Sequence, residues 1–267
     1  MFSGCKKPEL DNRYSASHNH RRIKSEYSCN PRFMTSAASL RSQIEAGIPS
    51  AFSVYRRQEY EYLATGIAHI DELTNGIPLH SLTEVYGSDM ASSGKTSLLM
   101  ALLGRVSQEH CCALVDASDS FDPASAQAAG VSLERLLWVR CGKSKQKWRP
   151  LEQAFKATDM LLHSGGFGLI AVDLSAIAEK LVRNIPLSTW FRFSRVVEQQ
   201  PTALVFLERQ PHATSCAGLV LRLTANPAAF SGKLLTGFTI RAEKIRNREK
   251  KGVQSVAPDF SIPAQWA

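Results

Sequence analysis

The run Ser92-Ser93-Gly94-Lys95-Thr96-Ser97 has the residue types and order needed for chemistry on a phosphate. Small residues let backbone N–H groups at a helix N-terminus close around phosphate oxygens. A lysine such as Lys95 neutralises the outer phosphates, and a hydroxyl such as that of Thr96 ligates Mg2+. The spacing departs from the usual Gly, four residues, Gly-Lys-Ser/Thr, because Asp89 occupies the first position and Gly87 lies two residues earlier. The loop is then either two residues longer, or it presents a carboxylate that repels a triphosphate unless Mg2+ or a lysine intervenes. A Ser/Gly turn capping a helix without a ligand is the plainer alternative. Asp173 joins this group, since it ends the apolar run Leu169-Ile170-Ala171-Val172. It is placed to hold Mg2+ through water or the Thr96 hydroxyl, the alternative being a cap for the following helix.

Elements to position these groups are legible around them. Leu82, Val85 and Tyr86 form a short apolar strand before the loop, and Leu98, Leu99, Ala101, Leu102 and Val106 give helical spacing after it. Upstream, Ile67, Ile70 and Leu73 share one side of a short helix closed by Asn75-Gly76. Downstream, apolar strands at 111–116, 136–140, 169–173 and 203–207 alternate with helices at 123–129, 150–163 and 186–199. Near-continuous apolar strands separated by helices predict an α/β fold with a mostly parallel sheet covered on both faces. Strands at 218–223, 238–244 and 253–262 predict an antiparallel edge. Ligands of such sheets sit at the carboxyl ends of the strands, where residues 87–96, Asp116 to Asp119 and Asp173 converge.

The chain of 267 residues carries a formal charge of +8. Residues 1–33 hold seven Lys/Arg against three Asp/Glu, and residues 241–251 hold six against two, so each segment contributes +4 and the rest sums to zero. That distribution suits segments that meet a polyanion, and equally a solvated tail. Residues 1–33 have no hydrophobic period and are expected to be a disordered basic arm. Residues 34–62 read as a helix and linker, with Met34 a candidate translation start; 63–262 read as the core and 263–267 as a tail. No apolar run reaches membrane-spanning length, and the six scattered cysteines form no C-x-x-C pair. Both features favour a cytoplasmic protein with reduced thiols. Trp190-Phe191-Arg192-Phe193 reads chiefly as a helix packed on the sheet, with base stacking the alternative.

Thr65-Gly66, Ile70-Asp71, Gly76-Ile77-Pro78, Glu84-Val85-Tyr86-Gly87, Ser92-Ser93-Gly94-Lys95-Thr96, Val115-Asp116-Ala117, Phe121-Asp122-Pro123 and Gly130-Val131 follow one another as in the bacterial RecA recombinase core. The chain resembles that family over roughly residues 60–260. The resemblance implies a RecA-like P-loop NTPase core that binds ATP and Mg2+, acts in DNA recombination and repair, and assembles with nucleotide at subunit interfaces. It assigns Ser92, Ser93, Gly94, Lys95, Thr96 and Ser97 to the nucleotide, Thr96 and Asp173 to the metal, and Asp122 to the vicinity of the adenine. Lys244 and Arg246 match two lysines that reach the phosphates of a neighbouring subunit; the alternatives are a DNA contact or a solvated hairpin.

The departures from that pattern are chemical. The family's catalytic glutamate falls on Ser118, which cannot activate water as a carboxylate does; Asp119 beside it is the substitute candidate. The adenine-stacking tyrosine falls on Ser125. Glu208-Arg209 stands where the family has Asn-Gln, and both DNA-loop regions are short. The chain is similar in kind to RecA-like accessory proteins of the ImuA type, which accompany error-prone polymerases. This implies a protein of DNA repair or the SOS damage response that binds ATP with weak or absent hydrolysis. It would form a homo- or hetero-oligomer, with a RecA-type protein or translesion polymerase as partner. The alternative is an active recombinase whose ATPase is stimulated by single-stranded DNA.

Overall fold

The computed structural model describes residues 61–87, 93–142, 149–226, 229–247 and 255–263. The expected basic arm, the helix opening at Met34, Asp89, Ser92 and the end of the basic run at 248–251 lie outside the described residues. So does the 264–267 part of the expected tail.

A two-residue strand β1 (Tyr62–Leu63) pairs antiparallel with β2 (Ile77–Pro78), and helix α1 (Ala68–Thr74) lies between them in sequence. Asp71 ties the entry to α1, its carboxylate accepting the Thr65 N–H at 2.8 Å and the Gly66 N–H at 3.1 Å. The helix ends on Asn75 with φ 66°, and at Gly76 a Cβ would stand 2.5 Å from the Leu63 carbonyl oxygen, so only glycine fits there.

The central sheet contains β3 (Ser81–Tyr86), β4 (Cys112–Asp116), β5 (Leu136–Arg140), β6 (Leu169–Asp173), β7 (Ala203–Glu208) and β8 (Ala217–Ala225). Its antiparallel margin adds β9 (Ala229–Ser231), β10 (Leu234–Asn247), β11 (Ser255–Val256) and β12 (Phe260–Pro263). Among the described residues the order is β11-β10-β8-β3-β7-β6-β4-β5, with β9 and β12 also paired to β10. From β8 to β5 every pairing is parallel, whereas β10 runs antiparallel to its neighbours. The expected α/β class, parallel centre and antiparallel edge are all present.

Helices cover both faces because the parallel strands are apolar on both sides. On one face α2 (Lys95–Val106) buries Leu98, Leu102, Leu103 and Val106 against Val85, Val205 and Leu221. The short α3 (Pro123–Ala128) contributes Ala126 to the same cluster. On the other face α4 (Arg149–Ser164) and α6 (Leu187–Val197) bury Leu162, Trp190 and Phe193 against Leu82, Leu204 and Phe206. The ring centroids of Trp190 and Phe206 are 5.0 Å apart, so this aromatic run is core packing, as the helical spacing suggested.

Local details differ from expectation. Cys111 is exposed and precedes the sheet, since the first residue of β4 paired to both β5 and β6 is Cys112. A short helix α5 (Glu179–Arg183) lies between β6 and α6. Strand β10 extends beyond 238–244 at both ends, drawn out by the pairing of Ile240 to Asn247 with β8 and of Leu234 to Gly237 with β9. No described helix is long and apolar enough to cross a membrane.

Candidate functional site

The loop after β3 delivers the chain to α2 through Gly94, whose φ of 82° is left-handed. The fit is tight: a Cβ on Gly94 would lie 2.3 Å from Ile240 Cδ1, and one on Gly87 would lie 2.4 Å from the Leu223 carbonyl oxygen. Ser93 is buried against Gly87. Lys95 is buried too, and its Nζ donates to the carbonyl oxygens of Gly87 at 3.1 Å and Glu208 at 2.8 Å. The ammonium therefore sits between the ends of β3 and β7, at the mouth of the helix N-terminus. Thr96 and Ser97 in the first turn of α2 are exposed.

Asp173 ends β6, two strands from β3, and pairs in register with Asp116 at the end of β4. Its carboxylate accepts the Ser175 N–H at 2.8 Å and faces the Ser120 hydroxyl at 3.5 Å. Burial raises its pKa, with Asp116 adding to the rise and Lys95 opposing it. A half-buried carboxylate of this kind, within electrostatic reach of a lysine that opens a helix and is followed by an exposed threonine, is a donor set that fits a divalent cation with phosphates.

The turn after β4 is organised by Asp116. Its carboxylate accepts the N–H groups of Ser118 at 3.0 Å, Ser120 at 3.0 Å and Phe121 at 3.0 Å, together with Trp138 Nε1 at 3.4 Å. These bonds consume its lone pairs and fix the positions of the next residues. The Ser118 hydroxyl accepts the Ala176 N–H at 3.2 Å, which joins this turn to the loop after β6. Asp119 does not continue the strand. It adopts φ 54°, and its carboxylate pairs with Arg140 at 2.7 Å, toward β5 at the margin of the sheet. Arg140 also lies over the Trp138 ring, 4.8 Å from its centroid.

Asp122 is the N-cap of α3, accepting the Ala124 N–H at 3.3 Å and the Ser125 N–H at 3.0 Å. The Ser125 hydroxyl bonds it as well and holds its pKa below the ordinary value. On β10, Lys244 is buried and its Nζ donates to the Leu73 carbonyl at the C-terminus of α1, 2.8 Å away. Arg246 donates to the Thr214 carbonyl at 2.5 Å. Lys95, Thr96 and Asp173 thus gather at one end of the parallel strands, and Lys244 and Arg246 bond carbonyls of the chain itself.

The 209–216 segment between β7 and β8 is folded onto the sheet. Arg209 Nε donates to the Ser175 carbonyl at 2.8 Å, Ser194 Oγ donates to the Cys216 carbonyl at 3.2 Å, and Ala213 and Cys216 are buried. Glu84 Oε1 accepts the N–H groups of His212 and Ala213, each at 2.6 Å. Glu84, His212 and Arg140 were not singled out by sequence. A lone glutamate inside the apolar run of β3 was the available signal, because a buried charge requires partners.

A comparison with known protein families matches residues 50–183, half of the chain, to the RecA N-terminal domain. The chain belongs to the RecA family. Membership gives it that family's general character, nucleotide binding and a RecA-like role in DNA recombination and repair. RecA proteins generally bind ATP with Mg2+, bind DNA and oligomerise. The match includes β3, the loop after it, α2, the Asp116 turn and Asp173, whereas Glu208, the 209–216 segment, Lys244 and Arg246 lie beyond it.

Proposed function

We propose that this RecA-family chain binds ATP and Mg2+ with little or no hydrolysis, and acts in DNA repair or the SOS response by assembling with a RecA-type protein or a translesion polymerase, as ImuA-type accessory proteins do. Ser92 to Ser97 and the N-terminus of α2 would hold the phosphates, Lys95 would exchange its two carbonyl partners for phosphate oxygens, and Thr96 with Asp173 would hold Mg2+. The metal would supply charge neutralisation at the phosphates.

The observation that carries the reading is the state of the turn after β4. Where the family positions a water-activating glutamate there is a serine whose hydroxyl is engaged by Ala176, and the adjacent Asp119 is paired with Arg140. No carboxylate among residues 117–121 is left to serve as general base. The pinned 209–216 loop supports the same reading, since a segment held by backbone and side-chain bonds presents little chain to DNA. We also infer that residues 63–262 form the core, with 1–33 a basic arm and 34–62 a helix and linker.

The test is titration of the full chain with fluorescent ATP and Mg2+, with Lys95→Ala as control. Each charge-assisted bond to phosphate is worth about 1.5–3 kcal/mol, so the variant should bind at least tenfold more weakly. Turnover should stay at background with single-stranded DNA and be indifferent to Asp119→Ala. DNA-stimulated turnover abolished by Asp119→Ala would establish the active recombinase instead.

A further inference from the structure

The peptide unit joining Ser175 to Ala176 is gripped at both ends. Its N–H, carried by Ala176, donates to Ser118 Oγ at 3.2 Å, and its carbonyl, carried by Ser175, accepts Arg209 Nε at 2.8 Å. A trans peptide is planar, with N–H and C=O pointing opposite ways, so a partner at each end fixes the rotation of the plane. Ser118 comes from the turn after β4 and Arg209 from the end of β7, and these are the two strands that flank β6.

The grip acts on a carboxylate. The N–H of Ser175, one peptide unit back, donates to Asp173 Oδ1 at 2.8 Å, while the Leu174 N–H is held by the Leu207 carbonyl at 3.0 Å. Turning the Ser175–Ala176 plane would therefore swing the donor that orients Asp173. The anchors are themselves set: Asp116 accepts the Ser118 N–H at 3.0 Å, and Glu208, the residue before Arg209, is buried and gives its carbonyl to Lys95 at 2.8 Å. Both Ser118 and Arg209 are points at which the chain departs from the RecA pattern, and both departures act on the same peptide.

We propose that Ser118 and Arg209 are positioning residues for Asp173, clamping the Ser175–Ala176 peptide from the two strands beside β6 so that the carboxylate is aimed before Mg2+ and nucleotide arrive. The proposal rests on the reading that Asp173 holds Mg2+ at a bound nucleotide. A hydroxyl and a guanidinium keep their charge states throughout the working pH range, so the clamp does not depend on pH. Groups that orient a metal-holding side chain typically govern about 10–100-fold of the metal affinity without touching the ion.

Fluorescent ATP titrated into the full chain, once with Mg2+ and once with EDTA, gives the factor by which the metal tightens nucleotide binding. Ser118→Ala and Arg209→Met should each lower that factor about tenfold, with the affinity in EDTA within about twofold of the parent chain. Ser118→Thr keeps the hydroxyl and should keep the factor. The double variant should lose less than the product of the two single losses, because freeing either end lets the plane turn. Should Arg209→Met fail to fold, the two Ser118 variants still decide. A factor unchanged in folded Ser118→Ala, or an equal loss with and without metal, would overturn the clamp while leaving Mg2+ and ATP binding in place. A parent chain that takes up no fluorescent ATP, or takes it up equally with Mg2+ and with EDTA, would overturn the reading of the site and the clamp with it.

Discussion

Replacing Glu208 by Gln should make the protein more stable in alkaline solution and leave it nearly unchanged in acid. Burial raises the Glu208 carboxyl from its ordinary 4.5 to about 7, against the opposing pull of His212 and Lys95. A raised folded-state pKa means that the folded chain binds the proton more tightly than the unfolded one. The associated stability is then fully present below pH 4.5 and lost as pH rises through about 7. At about 1.36 kcal/mol per pH unit, that rise sets a ceiling of roughly 3 kcal/mol. Glutamine keeps an oxygen for the His212 ring and carries no charge to desolvate. Because Glu84 and His212 share the proton balance, the expected gain at pH 8.5 is about 2 kcal/mol, with a difference under about 0.5 kcal/mol at pH 5. Urea denaturation followed by tryptophan fluorescence reads it, Trp190 being packed 5.0 Å from Phe206 on the same face. An equal difference at both pH values, or a variant less stable at pH 8.5, would refute the assignment of the desolvation cost to this carboxylate.

Asp116→Ala strips the acceptor from three backbone N–H groups and the Trp138 indole, and should cost about 3 kcal/mol or more in urea melts. Gly94→Ala forces a side chain into a left-handed position 2.3 Å from Ile240 Cδ1. It should lower stability by about 1–3 kcal/mol, part of which Ile240→Ala restores, as thermal unfolding of the single and double variants would reveal. Asp119→Ala removes an ion pair whose arginine side chain is 58% exposed. It should cost under about 1 kcal/mol, and phosphate release should match the parent chain.

The site was legible where local pattern and chemistry coincide. Lys95 follows a small-residue loop and opens an amphipathic helix, and Asp173 closes an apolar strand; both are local signals, and the parallel sheet brings them together. The setting of Asp119 was not legible, because Asp116 turns the chain there by gathering the N–H groups of Ser118, Ser120 and Phe121. Lys244 and Arg246, matched to residues that reach a neighbour, bond carbonyls of their own chain. No periodicity shows such contacts, since the Lys244 partner, Leu73, is 171 residues away.

The order of apolar runs, helix signals and turn residues sufficed for the α/β class and the strand sequence, because each depends on neighbours within a few residues. Strand order and long-range partners belonged to the tertiary structure. Glu84, Glu208 and His212 are ordinary residues in the linear chain. They become a coupled cluster only because β3 and β7 are adjacent and in register, and because burial removes the water that would otherwise keep their charges independent.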